Sequence, residues 1–374
     1  MKNMISALDA THCCIPMKSE VASILATAIE AADPFDAVKD SIQLKRGVLH
    51  MGGRDYPLTR DSRVVFVALG KAAPAMMRGA HIRLGSAIKE GVCISKHPVA
   101  AEERIDGIHY LVGDHPVPGA GSLAAGLAIQ QAVSGLTSDD LVIQLLSGGG
   151  SALAALPVEE VLLADLQQLT SVLLLSGATI NEMNAVRKHL DRIKGGGLIR
   201  LAAPARVAAL ILSDVVGSPI DVIASGPACP DPSTFESAQL AAVTARQFGE
   251  IPASILGHLG RGVQGLAAET LKPTDPLATN AANTVIGSNL VSCRAAVEKA
   301  RASRFHAELV TDCLTGEARE AGEYLAQYAR ERADLPRPFV LVFGGETTVT
   351  VTGSGSGGRN LELALAAAIE MTGL

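Results

Sequence analysis

An α/β fold built on a parallel sheet is predicted by three observations. Apolar runs of strand length alternate with helical patterns from Val64 onward. Two glycine-rich turns each follow such a run, and Ala, Gly, Val and Leu dominate a chain with few aromatics. Taken in order, residues 1–19 form an extension, and 20–32 read as an amphipathic helix ended near Pro34. Val64–Leu69 is a buried strand, and Gly70-Lys71 then opens a helix through Ala80. Short strands follow at 91–95 and 108–112. A helix over 122–134 precedes the strand 140–145 and the turn Ser147-Gly148-Gly149-Gly150-Ser151. Residues 181–194 read as one helix, with Met183, Val186, Leu190 and Ile193 on one stripe and Gly195-Gly196-Gly197 as its stop. Its other faces carry Asn184, Arg187, Lys188, Asp191 and Lys194, which is the pattern of a solvated face. Residues 208–213 are a further buried strand.

Residues 264–284, rich in Pro, Thr and Asp, mark a boundary between a larger domain over 20–263 and a smaller one over 285–374. The smaller domain reads as helix 288–302, strand 307–311, helix 316–332, strand 339–343 and strand 347–352. The turn Gly353-Ser354-Gly355-Ser356-Gly357-Gly358-Arg359-Asn360 then leads into a terminal helix. A length of 374 residues accommodates about two such domains.

Composition narrows the function. There is no Trp, with 4 Tyr and 7 Phe, which argues against nucleic-acid binding by stacking, and a net charge of −6 offers no basic stripe. No apolar run approaches the ~18–20 residues of a membrane span, and no secretory signal is expected at the N-terminus. Six cysteines, with Cys13 and Cys14 adjacent and no C-x-x-C, fit a reducing cytoplasm rather than a disulfide or zinc framework. Cys93, Cys229, Cys293 and Cys313 read as small apolar fillers.

The two glycine turns carry the chemistry. Glycine tolerates positive φ and close ligand approach, and a helix start supplies free N–H groups and a positive dipole end, so strand, turn and helix suit an anion. Arg359 adds a guanidinium beside the second turn. The alternative for either loop is a tight turn with nothing bound. Gly353, Gly355 and Gly358 satisfy G-x-G-x-x-G, but no following acidic residue stands where a ribose would need it. A Walker loop is also absent. Candidates for phosphoryl transfer lie at strand ends: Lys71, Asp214, Asp312 and Glu346. Asp214 is the candidate Mg²⁺ anchor or proton acceptor, and Ser151 the cap of a helix start.

The ordered motifs Gly70-Lys71-Ala72-Ala73, His115-Pro116-Val117-Pro118, Ser147-Gly148-Gly149-Gly150-Ser151-Ala152, Asn184-Ala185-Val186-Arg187-Lys188-His189-Leu190 and Lys194-Gly195-Gly196-Gly197 resemble the glycerate 2-kinase family. So do Leu212-Ser213-Asp214-Val215, Ile223-Ala224-Ser225-Gly226-Pro227, Gly344-Gly345-Glu346-Thr347-Thr348 and Gly357-Gly358-Arg359-Asn360. The last two lie in what the family calls its MOFRL domain. The resemblance implies a Rossmann-like larger domain, a smaller α/β MOFRL domain and an active-site cleft between them. It implies ATP- and Mg²⁺-dependent phosphorylation of D-glycerate at its 2-hydroxyl. It makes Lys71 and Arg359 the catalytic cations, and implies binding roles for Gly70, Ser147 to Ser151, Asn184, Arg187, Lys188, Lys194, Gly344, Gly345, Glu346, Gly357, Gly358 and Asn360.

Three departures accompany the likeness. Ser218 stands where the family usually has Asp, Leu361 stands where it usually has Gln, and the chain is expected to be a C-terminally shortened member. Two other readings remain beside the kinase: an NAD(P)H-dependent hydroxypyruvate reductase, and an inactive member that binds an anionic metabolite. Assembly into a homodimer is left open.

Overall fold

The structure, a computed structural model, describes residues 17–372, so Cys13, Cys14 and most of the expected extension lie outside the described residues. Contacts divide the chain into two compact units. One comprises residues 34–214 and 218–286, and the other, among the described residues, 17–33, 215–217 and 287–372.

The larger unit opens with a helix, Pro34–Ser41, and a three-stranded antiparallel sheet of β1 (Ile42–Lys45), β2 (Val48–Met51) and β3 (Arg54–Pro57). Two-residue turns join these strands, and Arg46, Gly47, Gly52 and Gly53 all have positive φ, as a primed hairpin turn demands. The main sheet then forms from β4 (Val64–Leu69), β5 (Glu90–Ser95), β6 (Ile108–Val112), β7 (Leu141–Leu146), β8 (Arg206–Leu212) and β9 (Ala281–Gly287). Its spatial order is β6-β5-β4-β7-β8-β9, and the pairs from β6 to β8 are parallel. In the order of these six strands this is 3-2-1-4-5-6, the Rossmann-type winding, which reverses direction between β4 and β7. Every residue of β7 is buried, as a strand covered on both faces requires. One core fills the face carrying Phe66, Ala68, Ile143, Leu145 and Leu210 together with Met76 and Met77 of the helix Ala73–Leu84. A second core gathers Leu169, Val186, Leu190, Phe235, Ala242 and Leu259 from the helices beyond β7 and β8.

Three sequence expectations change here. The region 264–284 is not a linker, because it carries the start of β9 and is bonded into the larger unit through Leu271 N to Gly195 O and Asp231 N to Leu271 O. The helix expected over 181–194 runs only Ile180–His189. Thr179 and Glu182 close a capping box at its start, and past its end the Asp191 carboxylate takes the amides of Ile193 and Lys194 and turns the chain. Its polar residues are not a solvated face, since Asn184, Lys188, Asp191 and Lys194 are all buried.

In the smaller unit the helix Lys18–Glu30 packs against the helix Asn289–Ala302, although the sequence reading set it at the head of the larger domain. Ile24, Ala296, Val297, Ala300 and Phe305 make this unit's core with Ala307. β10 (His306–Leu314) and β11 (Phe339–Gly345) pair in parallel, and the helices Ala318–Glu331 and Arg359–Glu370 pack on each other. The expected strand 347–352 does not form. Thr348 makes only an isolated bridge to Glu317, and the alternating Thr/Val run has no further neighbour to pair with among the described residues. β10 extends past Asp312, which therefore sits within the strand, and Cys313 is exposed rather than a core filler.

Candidate active site

In an open α/β sheet, ligands bind outside the carboxyl ends of the strands where the winding reverses. Here that point lies between β4 and β7, whose ends carry Gly70-Lys71 and Ser147-Gly148-Gly149-Gly150. The two turns are tied together: Lys71 N donates to Gly148 O (2.9 Å), and Ala72 N donates to Ser147 Oγ (3.0 Å). Gly70 has φ +131°, and a Cβ there would lie 2.2 Å from Ser147 Oγ, so this junction admits glycine alone. Asp214, just past β8, brings its carboxylate against the second turn, where a Cβ on Gly148 would lie 1.7 Å from Asp214 Oδ2.

The turn presents donors. The amides of Ser147, Ala152 and Leu153 are paired within the protein. Those of Gly148, Gly149, Gly150 and Ser151 donate to no acceptor among the described residues. Gly149, at φ +88°, faces the Lys71 side chain and His115 Cδ2. Lys71 is exposed, and no carboxylate among the described residues pairs with its ammonium. Burial, with the charges of Lys71 and Lys96, pushes the His115 imidazole below the usual histidine range and so keeps it neutral. His115 belongs to a quoted motif, yet nothing in the sequence alone set it beside Lys71.

The helix Ile180–His189 supplies a layer behind the turn. Ser151 Oγ lies 2.9 Å from Ser225 Oγ, Ser225 Oγ donates to Asn184 Oδ1 (2.9 Å), and Asn184 Nδ2 donates to Val222 O (3.4 Å). Ala224 and Ser225 both hold positive φ, a strained backbone at the point where Ser225 meets this chain. Lys188 and Lys194 are occupied internally. Lys188 Nζ lies 3.0 Å from Asp231 and 3.4 Å from Asp221, while Lys194 Nζ lies 2.6 Å from Asp191 and 2.9 Å from Ala154 O. Burial alone would push the Asp231 carboxyl up, but the Lys188 charge and hydrogen bonds from Ser233 outweigh it and hold it below the usual carboxylate range. Asp231, Asp221 and Ser225 are polar residues of this layer that sequence reasoning did not single out as site residues. A buried run such as Leu210–Leu212 is visible in sequence, but a carboxylate's buried partner is not.

The smaller unit gathers the remaining candidates. β11 ends in Gly344 and Gly345. A Cβ on Gly344 would strike Cys293 Sγ at 2.3 Å, and one on Gly345 would strike Leu314 O at 2.0 Å. Glu346 N donates to Leu314 O (2.9 Å), and the Glu346 carboxylate pairs with Arg359 at 2.7 Å. Arg359, Gly357, Gly358 and Asn360 are exposed at the start of the helix Arg359–Glu370. Unlike the first turn, none of Gly353, Gly355, Gly357 and Gly358 has left-handed φ, and a Cβ at any of them would meet no protein atom. The protein's own packing therefore does not require glycine there.

A Rossmann-type sheet with a donor-rich turn, an unpaired lysine and a carboxylate at its reversal point defines a class: enzymes that bind and transform a small anionic substrate. The comparisons narrow it. Residues 20–260 match a family described as a domain of unknown function (DUF4147), and residues 339–374 match the MOFRL family. The chain is 38% identical to a glycerate 2-kinase of Pyrococcus horikoshii, over 87% of this chain and 73% of that protein. It is 39% identical to a D-glycerate 2-kinase of Thermotoga maritima, over 96% of this chain and 80% of that one. The crystal structure of the glycerate kinase from Thermotoga maritima superposes with a TM-score of 0.81 at 40% identity, covering 96% of this chain and 81% of that one. The chain belongs to the glycerate 2-kinase family. Among the described residues, no helix is long and apolar enough to cross a membrane.

Proposed function

We propose that this protein transfers the γ-phosphoryl group of ATP to the 2-hydroxyl of D-glycerate, yielding 2-phosphoglycerate and ADP. The observation that carries this reading is the turn 147–151. Four amides and a Lys71 ammonium, all without a partner among the described residues, converge there with the Asp214 carboxylate at the reversal point of the sheet. Phosphoryl transfer asks little covalent chemistry of the protein. It asks for positioning and for positive charge around the three equatorial oxygens. The amides of Gly148 to Ser151 hold an anionic group by hydrogen bonds, and Lys71 neutralises charge as it develops. On the smaller unit, Arg359 is an exposed cation held by its pairing with Glu346.

The Asp214 carboxylate is exposed at the edge of the sheet beside the turn. Mg²⁺ is commonly held by one or two carboxylates together with substrate phosphates, and a single hard oxygen donor of this kind fits that pattern. Asp214 would hold the ion, which would supply positive charge to offset that of the nucleotide phosphates. Without the ion, the same carboxylate is placed to accept the proton of the attacking hydroxyl. Gly70, Gly344 and Gly345 keep side chains out of the tight seats that set these turns, and the Ser147 hydroxyl fills one of them by accepting the Ala72 amide.

The test is direct. Purified protein is incubated with D-glycerate, ATP and Mg²⁺, and the products are resolved by ³¹P NMR, with a parallel incubation of hydroxypyruvate and NADH. The kinase reading expects 2-phosphoglycerate in the first and no NADH consumption in the second. NADH oxidation without phosphoglycerate would replace it with the reductase. Neither product, with glycerate still bound, would leave an inactive binder of an anionic metabolite.

A further inference from the structure

A small, largely apolar cavity opens between the turn at Ser151 and the helix Ile180–His189, and Ser151, Thr170, Arg187, Asp191 and Lys194 supply its polar and charged lining. Its charges do not cancel. Asp191 is saturated, accepting from the amides of Leu156 (3.1 Å), Ile193 (2.9 Å) and Lys194 (3.3 Å) and from Lys194 Nζ (2.6 Å). Lys194 is neutralised by that same carboxylate. Arg187 has neither a hydrogen-bond acceptor nor a counter-charge among the described residues. Arg187 is half-buried, and a guanidinium held there without a partner among the described residues favours an anion that the protein does not itself supply.

The hydroxyl chain beside it has a fixed sense. Asn184 Nδ2 gives its hydrogen to Val222 O, which turns Oδ1 toward Ser225. Ser225 spends its proton on Asn184, so Ser225 Oγ accepts from Ser151. Ser151 has then used its proton within the protein and offers only lone pairs to the cavity. It can accept a hydrogen bond from a ligand but cannot give one.

We infer that this cavity reads a hydroxy acid, with Arg187 taking the substrate carboxylate through its planar fork and Ser151 accepting a hydrogen bond from the hydroxyl that does not react. The assignment of the hydroxyl rests on the kinase reading above. The reacting hydroxyl must surrender its proton to a base, and a neutral serine is not one, whereas the other hydroxyl keeps its proton throughout. Lys71, which Gly149 faces and which does not line this cavity, is left for the phosphoryl group. Arg and carboxylate match in a bidentate geometry that a lysine cannot reproduce. Asn184 and Ser225 are positioning residues, acting through Ser151.

The test is isothermal titration of the full chain and of Arg187→Met, Arg187→Lys and Ser151→Ala with D-glycerate, D-lactate and glycerol, alongside KM and kcat. Wild type is expected to bind D-glycerate more tightly than D-lactate, which lacks the second hydroxyl, and to bind glycerol not at all. Arg187→Met should weaken D-glycerate about a hundredfold with kcat little changed, since it removes one partner of a half-buried charge pair. Arg187→Lys should weaken it about tenfold, and it decides the question if the methionine variant does not fold. Ser151→Ala should bring D-glycerate to the affinity of D-lactate while leaving D-lactate unchanged. D-glycerate affinity within threefold of wild type in either Arg187 variant overturns the carboxylate assignment. A preserved preference for D-glycerate in Ser151→Ala overturns the hydroxyl assignment. A wild type that binds through Arg187 yet transfers no phosphate sinks the kinase reading and leaves the carboxylate site standing. An active kinase indifferent to Arg187 does the reverse.

Discussion

Gly148→Ala separates assembly of the fold from placement of its chemistry. Gly148 has no left-handed φ, so alanine meets no backbone penalty there. The added methyl would lie 1.7 Å from Oδ2 and 2.4 Å from Cγ of Asp214, far inside contact distance. Asp214 is an exposed side chain beyond the end of β8, so it yields before the turn does, and its carboxylate must retreat by more than about 1 Å. A displacement of that size at a reacting group costs about a hundredfold in rate, whereas the stability lost is no more than about 1 kcal/mol because the sheet itself is untouched. ADP release with D-glycerate as acceptor, read beside a thermal melt, measures both. An alanine variant with wild-type kcat would refute the placement of Asp214 in the reaction. A variant that melts far below wild type would refute the claim that only the carboxylate moves.

Other outcomes follow from the same geometry. Gly149→Val, at φ +88° and facing Lys71, should block ligand binding while the sheet still assembles, checked by titration and circular dichroism. Lys71→Ala and Arg359→Ala should each lower kcat about a hundredfold or more at little change in KM, since each cation serves charge that develops in the transition state; wild-type turnover in a folded variant removes that residue from the chemistry. Asp231→Asn should destabilise the protein by about 3 kcal/mol in urea melts at neutral pH, because it strips Lys188 of its buried partner. The folded Asp231 pKa is lowered, so its contribution is complete above the unfolded carboxyl value and is lost as pH falls through the folded one; the gap between wild type and variant should therefore close only in acid. The His115 imidazole should titrate below the ordinary value of about 6.5 by NMR, and Lys71→Met should move its midpoint upward; a midpoint unmoved by that change would place Lys71 away from the ring.

The sequence makes the main strands legible because a parallel sheet buried on both faces needs continuous apolar runs, and Val64–Leu69 and Leu141–Leu146 are such runs. The glycine turn after β7 is legible from its composition, and a Cβ on Gly148 would collide with the Asp214 carboxylate. What the sequence conceals is pairing. Lys188 and Lys194 look like solvated charges until the fold supplies Asp231 and Asp191, which stand respectively 43 and 3 positions away in the chain. The β1–β3 meander is also faint in the sequence, although Gly52-Gly53 is a hairpin signal, because four-residue strands with exposed polar positions give little alternation. The run 347–352 shows the opposite error: Thr/Val alternation is strand-like, but a strand needs a neighbour. Arg187 could be counted in sequence, but its lack of a partner could not.

The helix Lys18–Glu30 has a consequence for how the protein is made. Its partner helix, Asn289–Ala302, emerges from the ribosome only after the whole of the larger unit has been synthesised. At about 5–20 residues per second that interval lasts tens of seconds, long enough for the larger unit to fold first as a unit of its own. Throughout it, Ile24 and Ala26 have no core to enter. A helix translated early is thus among the last to dock, and the smaller unit closes through contacts of very long sequence separation, the slowest kind to form. Aggregation during expression should therefore track the exposed apolar face of this N-terminal helix rather than any weakness in the central sheet, and a chaperone that shelters that face would act on biosynthesis without touching the finished protein.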